Sequence, residues 1–87
     1  MLFRSIGDSN VAVGPYAANA LTTGNSNIAI GRGALLTATT AIQNVAIGRD
    51  ALRLNTTGSG NTAIGYGALK CNTTGCGNFG QGYKTLL

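Results

Sequence analysis

The stretch Asn61-Thr62-Ala63-Ile64-Gly65 is one of five copies of a pentapeptide that organises the whole chain. Its first residue is asparagine in every copy, and successive copies are 17 residues apart without insertion or deletion. The copies begin at Asn10, Asn27, Asn44, Asn61 and Asn78. A fixed period of this kind is typical of stacked-repeat proteins, in which each repeat forms one coil of a solenoid. The sequence therefore predicts a single repeat domain over residues 1–87, with five 17-residue coils.

The pentapeptide predicts one short strand in each coil. Its fourth position is Val or Ile in the first four copies, its second is mostly β-branched or aromatic, and Asn and Gly bound the run. β-Branched residues two apart between such breakers are typical of a strand. Strands of successive coils stack about 4.8 Å apart, so five coils rise roughly 24 Å. The predicted fold class is an all-β solenoid, a parallel β-roll or β-helix.

An Ala-Leu segment and a Thr-Thr-Gly turn complete each coil, as in Ala68-Leu69 and Thr73-Thr74-Gly75. The Ala-Leu segment is either a second strand or one short helical turn. Glycines on both sides disfavour a longer helix.

Residues that recur every 17 positions form a column along the stack, and two such columns are predicted to hold the coils in register. The five asparagines are expected to form a ladder of side-chain amides, bonded from coil to coil as in other in-register β assemblies. The fifth residue of the pentapeptide is always glycine, which predicts a corner that a Cβ would resist. These corner glycines are Gly14, Gly31, Gly48, Gly65 and Gly82.

Strand alternation also gives a prediction for the third position. If the Val and Ile side chains point inward, the alanines between them point outward. A flat outward stripe of small apolar residues favours a close contact with another copy of the chain, although alanine also simply tolerates exposure. The predicted inter-chain interface is Ala12, Ala29, Ala46 and Ala63.

Composition argues against an enzyme. The chain has no histidine, and its only two carboxylates, Asp8 and Asp50, fall in different columns and coils. A general acid/base pair or a catalytic triad is therefore hard to assemble, and neither a metal nor a cofactor is predicted. The net charge of +4 comes from six scattered Lys and Arg residues, which argues against nucleic-acid binding. No apolar run approaches the length of a membrane span, so membrane insertion is not expected either.

A short basic stripe is predicted where the coils stack. Arg32 lies one period before Arg49, and Arg53 lies one period before Lys70. Such a stripe is suited to anionic glycans, whereas the simpler interpretation is an ordinary solvated face.

Cys71 and Cys76 flank one Thr-Thr-Gly turn. Their spacing fits no common zinc site, and no second pair is present in the sequence. Two free thiols are the simpler interpretation, and a local disulfide across the turn is the alternative.

The two ends of the sequence lack the polar or proline-rich caps with which solenoids prevent end-on association. This predicts either a segment of a longer fibre or head-to-tail contacts between copies, which would propagate as a filament.

The unit from Asn61 to Gly75, with its Asn-x-Ala-Ile-Gly-x-x-Ala-Leu and Asn-Thr-Thr-Gly motifs, resembles repeats of phage tail-fibre and related virion fibre proteins. Its Ala-Ile-Gly core is also similar to the head repeats of trimeric autotransporter adhesins, whose unit is shorter. The resemblance covers nearly the whole chain, from about Gly7 to Leu87. It implies a parallel β-roll that assembles as a homotrimer and attaches to a cell surface, in an extracellular, cell-surface or virion location.

Three functions are therefore hypotheses. The first is a non-enzymatic structural module of an attachment fibre, with copies of itself and a surface glycan or receptor as partners. The second is a self-assembling extracellular filament subunit with head-to-tail coil stacking. The third is an ice-binding solenoid with threonine ladders, although a corner that also holds Gly and Asn is a poor place for a flat face.

Overall fold

The computed structural model describes residues 3–4 and 9–83 and confirms the all-β solenoid. Six short strands form one sheet in chain order: β1 Phe3–Arg4, β2 Val11–Val13, β3 Ile28–Ile30, β4 Val45–Ile47, β5 Thr62–Ile64 and β6 Phe79–Gln81. Strands β2 to β6 are parallel and pair in strict register, so that Ala29 lies opposite Ala46 and Ala46 opposite Ala63. The 17-residue period is therefore the length of one coil.

Each of the parallel strands β2 to β6 is three residues long because left-handed backbone bounds it on both sides. In the third coil, Gln43 precedes the strand region with φ 58°, and Gly48 follows β4 with φ 125°. Extended strand backbone needs negative φ, so the strand cannot continue past either residue.

The Ala-Leu segment is neither a second strand nor a helical turn. Asp50 and Leu52 have φ of 63° and 51°, so left-handed residues alternate with others, whereas a helix needs negative φ at every residue. The segment is a series of tight turns, in which the Arg53 N–H donates to the Asp50 carbonyl and the Asn55 N–H to the Leu52 carbonyl, each at 3.2 Å. Within the described residues the protein has no helix.

The strand orientation expected from the sequence is wrong. Ala29, Ala46 and Ala63 are completely buried, whereas the residues on either side of them are half-buried or exposed. Asparagine and alanine lie two residues apart in the pentapeptide and so share one strand face, which points into the coil. The opposite wall carries the buried leucines Leu35 and Leu52, and the inward residue at the centre of each parallel strand is only an alanine or, in β6, a glycine.

The N-terminal edge of the stack is covered, contrary to the expectation of an uncapped end. Strand β1 pairs antiparallel with β2, with Phe3 opposite Val13 and Arg4 opposite Ala12. An antiparallel strand occupies the backbone groups that a further parallel coil would need. The last coil ends in β6, which is the edge strand of the sheet, and residues 84–87 lie outside the described part of the chain.

Candidate functional site: an apolar sheet face beside a charged cleft

The asparagine column forms a buried hydrogen-bonded ladder. Asn27 donates to the Asn10 Oδ1 atom from its backbone N–H at 2.9 Å and from its Nδ2 at 3.1 Å. Its Nδ2 also donates to the Ala41 carbonyl at 2.7 Å, which ties the end of its own coil to its start. Asn44 repeats all three bonds, and the backbone N–H groups of Asn61 and Asn78 continue the ladder at 2.9 Å. One side chain therefore closes a coil and joins it to the next.

A second asparagine ladder begins in the third coil and was not predicted from the sequence. Asn55 is fully buried and donates to the Gly58 carbonyl at 3.1 Å, and Asn72 donates to Asn55 Oδ1 at 2.9 Å. The equivalent residues of the first two coils are the buried Leu21 and Ala38. The available signal was the Asn-x-x-Gly spacing at Asn55 and Asn72. No buried side-chain nitrogen or oxygen of the described residues lacks a partner.

The corner glycines bring successive coils into backbone contact. All five have φ between 114° and 126°, a conformation that side chains with a Cβ rarely adopt: Gly14, Gly31, Gly48, Gly65 and Gly82. A Cβ on Gly48 would lie 2.6 Å from the Gly65 carbonyl oxygen. The close stacking of the coils at this corner therefore requires glycine.

The four alanines proposed as an inter-chain interface lie inside their own coil. Ala12 is 3% exposed, and Ala29, Ala46 and Ala63 are 0% exposed. Their side chains cannot touch another chain, so that prediction is wrong.

The outward side chains of β2 to β6 form the outer sheet face instead: Val11, Val13, Ile28, Ile30, Val45, Ile47, Thr62, Ile64, Phe79 and Gln81. Ile28 and Ile30 are 37% and 38% exposed, and Phe79 is 59% exposed. The face carries no charged residue. Parallel sheets usually have both faces covered, whereas this apolar outer sheet face is partly exposed to solvent.

All the charged residues between 9 and 83 lie on another side of the solenoid, in the turns that follow the corner glycines. There are five of them: Arg32, Arg49, Asp50, Arg53 and Lys70. Four of them line a cleft of about 310 Å³, hereafter the charged cleft, together with Tyr16 and Leu36. Arg53 Nη1 lies 4.0 Å from Asp50 Oδ1, which leaves the guanidinium largely available.

Two tyrosines lie on the same side of the solenoid as the charged cleft. Tyr66 and Tyr83 occupy the column of Arg32 and Arg49, and their ring centroids are 5.3 Å apart with a tilt of 30°. The column therefore runs from two arginines to two exposed tyrosines along the axis.

Cys71 and Cys76 are both free and exposed, with the Cys76 thiol donating to the Thr74 carbonyl at 3.6 Å. The threonine columns lie at the turn before the closing glycine. Thr22 Oγ1 donates to the Thr39 carbonyl at 3.3 Å and Thr56 Oγ1 to the Thr73 carbonyl at 3.4 Å, so these hydroxyls link coils.

Neither a metal site nor a membrane span is found in the part of the chain that the structure describes. No three His, Cys, Asp or Glu side chains there come together as metal ligands. No helix of those residues is long and apolar enough to cross a bilayer. Asp8 lies outside the described residues, and Asp50 lies in the charged cleft.

Comparison with protein-family models, curated proteins and solved structures finds no match for this chain.

Proposed function

We propose that this protein is a structural, non-enzymatic repeat module of an extracellular or virion attachment fibre, in which copies of the chain pack side by side through the outer sheet face. The observation that carries the proposal is the uncharged, apolar and partly exposed outer face of a parallel sheet. The fibre resemblance of the repeat supplies the expected stoichiometry, a homotrimer around one axis.

A second copy fits this face better than an unrelated protein does. The outward side chains of the outer sheet face repeat once per coil, because β2 to β6 pair in strict register. Another copy has the same rung spacing of about 4.8 Å, so the side chains of two such faces interdigitate at every rung. With no charge on the face, parallel packing of identical copies meets no electrostatic repulsion.

The expected association is weak for this length of chain. Five rungs of three residues cover on the order of 240 Å² per copy in projection, from the spacing and rise of strands. Stable interfaces bury about 800 Å² per partner. We therefore expect assembly to depend on concentration and to strengthen as coils are added.

Sedimentation velocity over a series of protein concentrations tests the proposal. The chain is expected to shift from monomer towards trimer as concentration rises, and Ile30→Asp is expected to remove that shift because it buries a charge in the contact. Thr40→Asp adds the same charge on an exposed threonine turn and is expected to assemble as the original chain does.

A chain that stays monomeric at every concentration, or an Ile30→Asp variant that still assembles, would contradict the proposal. A species that grows without limit would instead favour a head-to-tail filament. Circular dichroism of each variant shows whether it has kept the fold.

A further inference from the structure

The distribution of charge and aromatic residues identifies a second surface. Between residues 9 and 83, every charged residue and all three tyrosines lie in the turns that follow the corner glycines. The outer sheet face and the threonine turns carry none of them. A solvated surface needs no such segregation, because charges on any side of the coil would serve solubility equally well.

We propose that the charged cleft binds an acidic polysaccharide, with Arg32, Arg49 and Arg53 holding its anionic groups and the Tyr66–Tyr83 pair supporting the neighbouring sugars. In the attachment function proposed above, this polysaccharide is the ligand. The binding inference rests on that function only for its biological role. Binding itself is a property of one chain and does not require self-association.

The arginines supply the anion contacts. Three guanidinium groups and one carboxylate line a cleft of about 310 Å³, which gives it a net positive charge. Arg32 and Arg49 are exposed, and Arg53 is only loosely paired with Asp50 at 4.0 Å. A guanidinium binds the two oxygens of a carboxylate or sulfate through parallel hydrogen bonds, which a solvated lysine does not do.

Asp50 and the tyrosines favour a saccharide over other polyanions. The Asp50 carboxylate accepts hydrogen bonds from sugar hydroxyls, which a polysaccharide carries on every unit and an oligodeoxynucleotide backbone lacks. The Tyr66 and Tyr83 rings are 5.3 Å apart, which leaves no gap for a nucleic-acid base between them. Their exposed faces suit the apolar C–H face of a pyranose ring. Tyr66 is 42% and Tyr83 is 72% exposed.

The geometry of the stack also fits a linear ligand. Arg32, Arg49, Tyr66 and Tyr83 follow one another at one coil each, so the column rises by about 4.8 Å per residue. This rise is close to the length of one sugar unit in an extended polysaccharide. A chain that runs along the solenoid axis therefore meets one side chain of the column at each sugar.

Isothermal titration of the whole chain with four defined probes tests the inference. Polygalacturonate and dextran sulfate carry carboxylate and sulfate on a sugar chain, neutral dextran carries neither, and oligothymidylate carries phosphates without acidic sugars. Binding is expected for one or both acidic polysaccharides and not for dextran, and oligothymidylate is expected to bind at least tenfold more weakly. The comparison of the first two probes shows which anion the cleft prefers.

Matched variants locate the site. Arg49→Gln is expected to weaken binding of the preferred polysaccharide about tenfold or more, and Arg49→Lys to give a smaller loss because the charge remains without the planar fork. Lys70→Gln removes the same charge from the same side but outside the cleft, so its affinity is expected to stay within about twofold of the original. Each variant is checked by circular dichroism for an unchanged fold.

Four results would overturn the inference: no binding of either acidic polysaccharide, equal binding of dextran, equal or tighter binding of oligothymidylate, or an equal loss in Arg49→Gln and Lys70→Gln. Failure of the trimer in sedimentation with binding intact would overturn only the assembly proposal. A chain that forms trimers but binds no acidic polysaccharide would overturn only the proposed binding site in the charged cleft.

Discussion

The two faces of one strand differ here in the opposite sense from an ordinary amphipathic strand. On the inner face of the third coil lie Asn44 and Ala46, both 0% exposed, and on the outer face of β4 lie the larger Val45 and Ile47, both half-buried. Asn44 is held by hydrogen bonds to two neighbouring coils. In so thin a coil, size and hydrogen bonding therefore decide which residues point inward, and hydrophobicity does not.

The largest effect is expected from Asn44→Asp, which breaks the inner face. The substitution removes the amide that donates to the Gly58 carbonyl at 2.9 Å and to Asn27 Oδ1 at 3.2 Å. It also sets a carboxylate against those oxygens in a buried position. We expect the free energy of unfolding to fall by about 3 kcal/mol or more, as measured by urea denaturation.

Asn19→Asp is the control for that variant, because Asn19 is exposed in the first coil. Its expected change is within about 0.5 kcal/mol. Similar losses in both variants would show that added charge, and not the ladder, is responsible.

A smaller effect is expected when valine is placed on each face in turn. Ala46→Val adds two methyl groups to a fully buried inner position and is expected to cost about 1–3 kcal/mol through overpacking. Thr62→Val puts the same residue on the outer face, where Val11 and Val45 already stand, and is expected to change stability by less than about 0.5 kcal/mol.

Thermal unfolding of the two valine variants, at a protein concentration at which sedimentation finds monomers, measures this difference. A neutral Ala46→Val would mean that the interior has spare room, and the size argument for the inverted faces would then fail.

The smallest expected effect is a gain in stability, and it concerns Gln43, the residue directly before Asn44 and strand β4. Gln43 has φ 58° and an exposed side chain, and the equivalent residues of the next two coils are Gly60 and Gly77. Gln43→Gly relieves the left-handed strain and is expected to stabilise the fold by about 0.5–1 kcal/mol.

Asn25→Gly is the control for this change, since Asn25 is not among the residues with positive φ. It is expected to lose about 0.5–1 kcal/mol through the added freedom of the unfolded chain. A gain in both glycine variants would contradict the strain argument. Chemical denaturation shows whether the free energy of unfolding rises or falls in each of the two variants.

Much of the fold could be predicted from local spacing. The 17-residue period gave the coil length, and Asn and Gly bounded each strand from Val11–Val13 to Phe79–Gln81. The Ala-Leu turns could not be predicted in the same way, because the left-handed backbone at Leu52 is unfavourable in isolation by about 1–2 kcal/mol. Packing of the whole stack offsets that cost, since Leu52 is fully buried.

The candidate surfaces were only partly predictable. The period places Arg32 beside Arg49, and this pair is one element of the charged cleft. It also places Arg53 beside Lys70, but Lys70 lies outside the cleft. Tyr16 and Asp50 join it through the turns, whose geometry is not encoded in the spacing. The outer sheet face was assigned to the wrong residues, because alternation defines two faces and does not say which is buried.

The sequence by itself determined that the chain is a solenoid, how long each coil is and which residues stack on one another, because a fixed period repeats every local preference at the same height. Only the tertiary structure decided which side of each strand is the inside. The wall opposite the sheet already holds Leu35 and Leu52, so little space remains behind the strand. An asparagine that bonds both its neighbours and an alanine fill that space, and the larger Val and Ile side chains are turned outward.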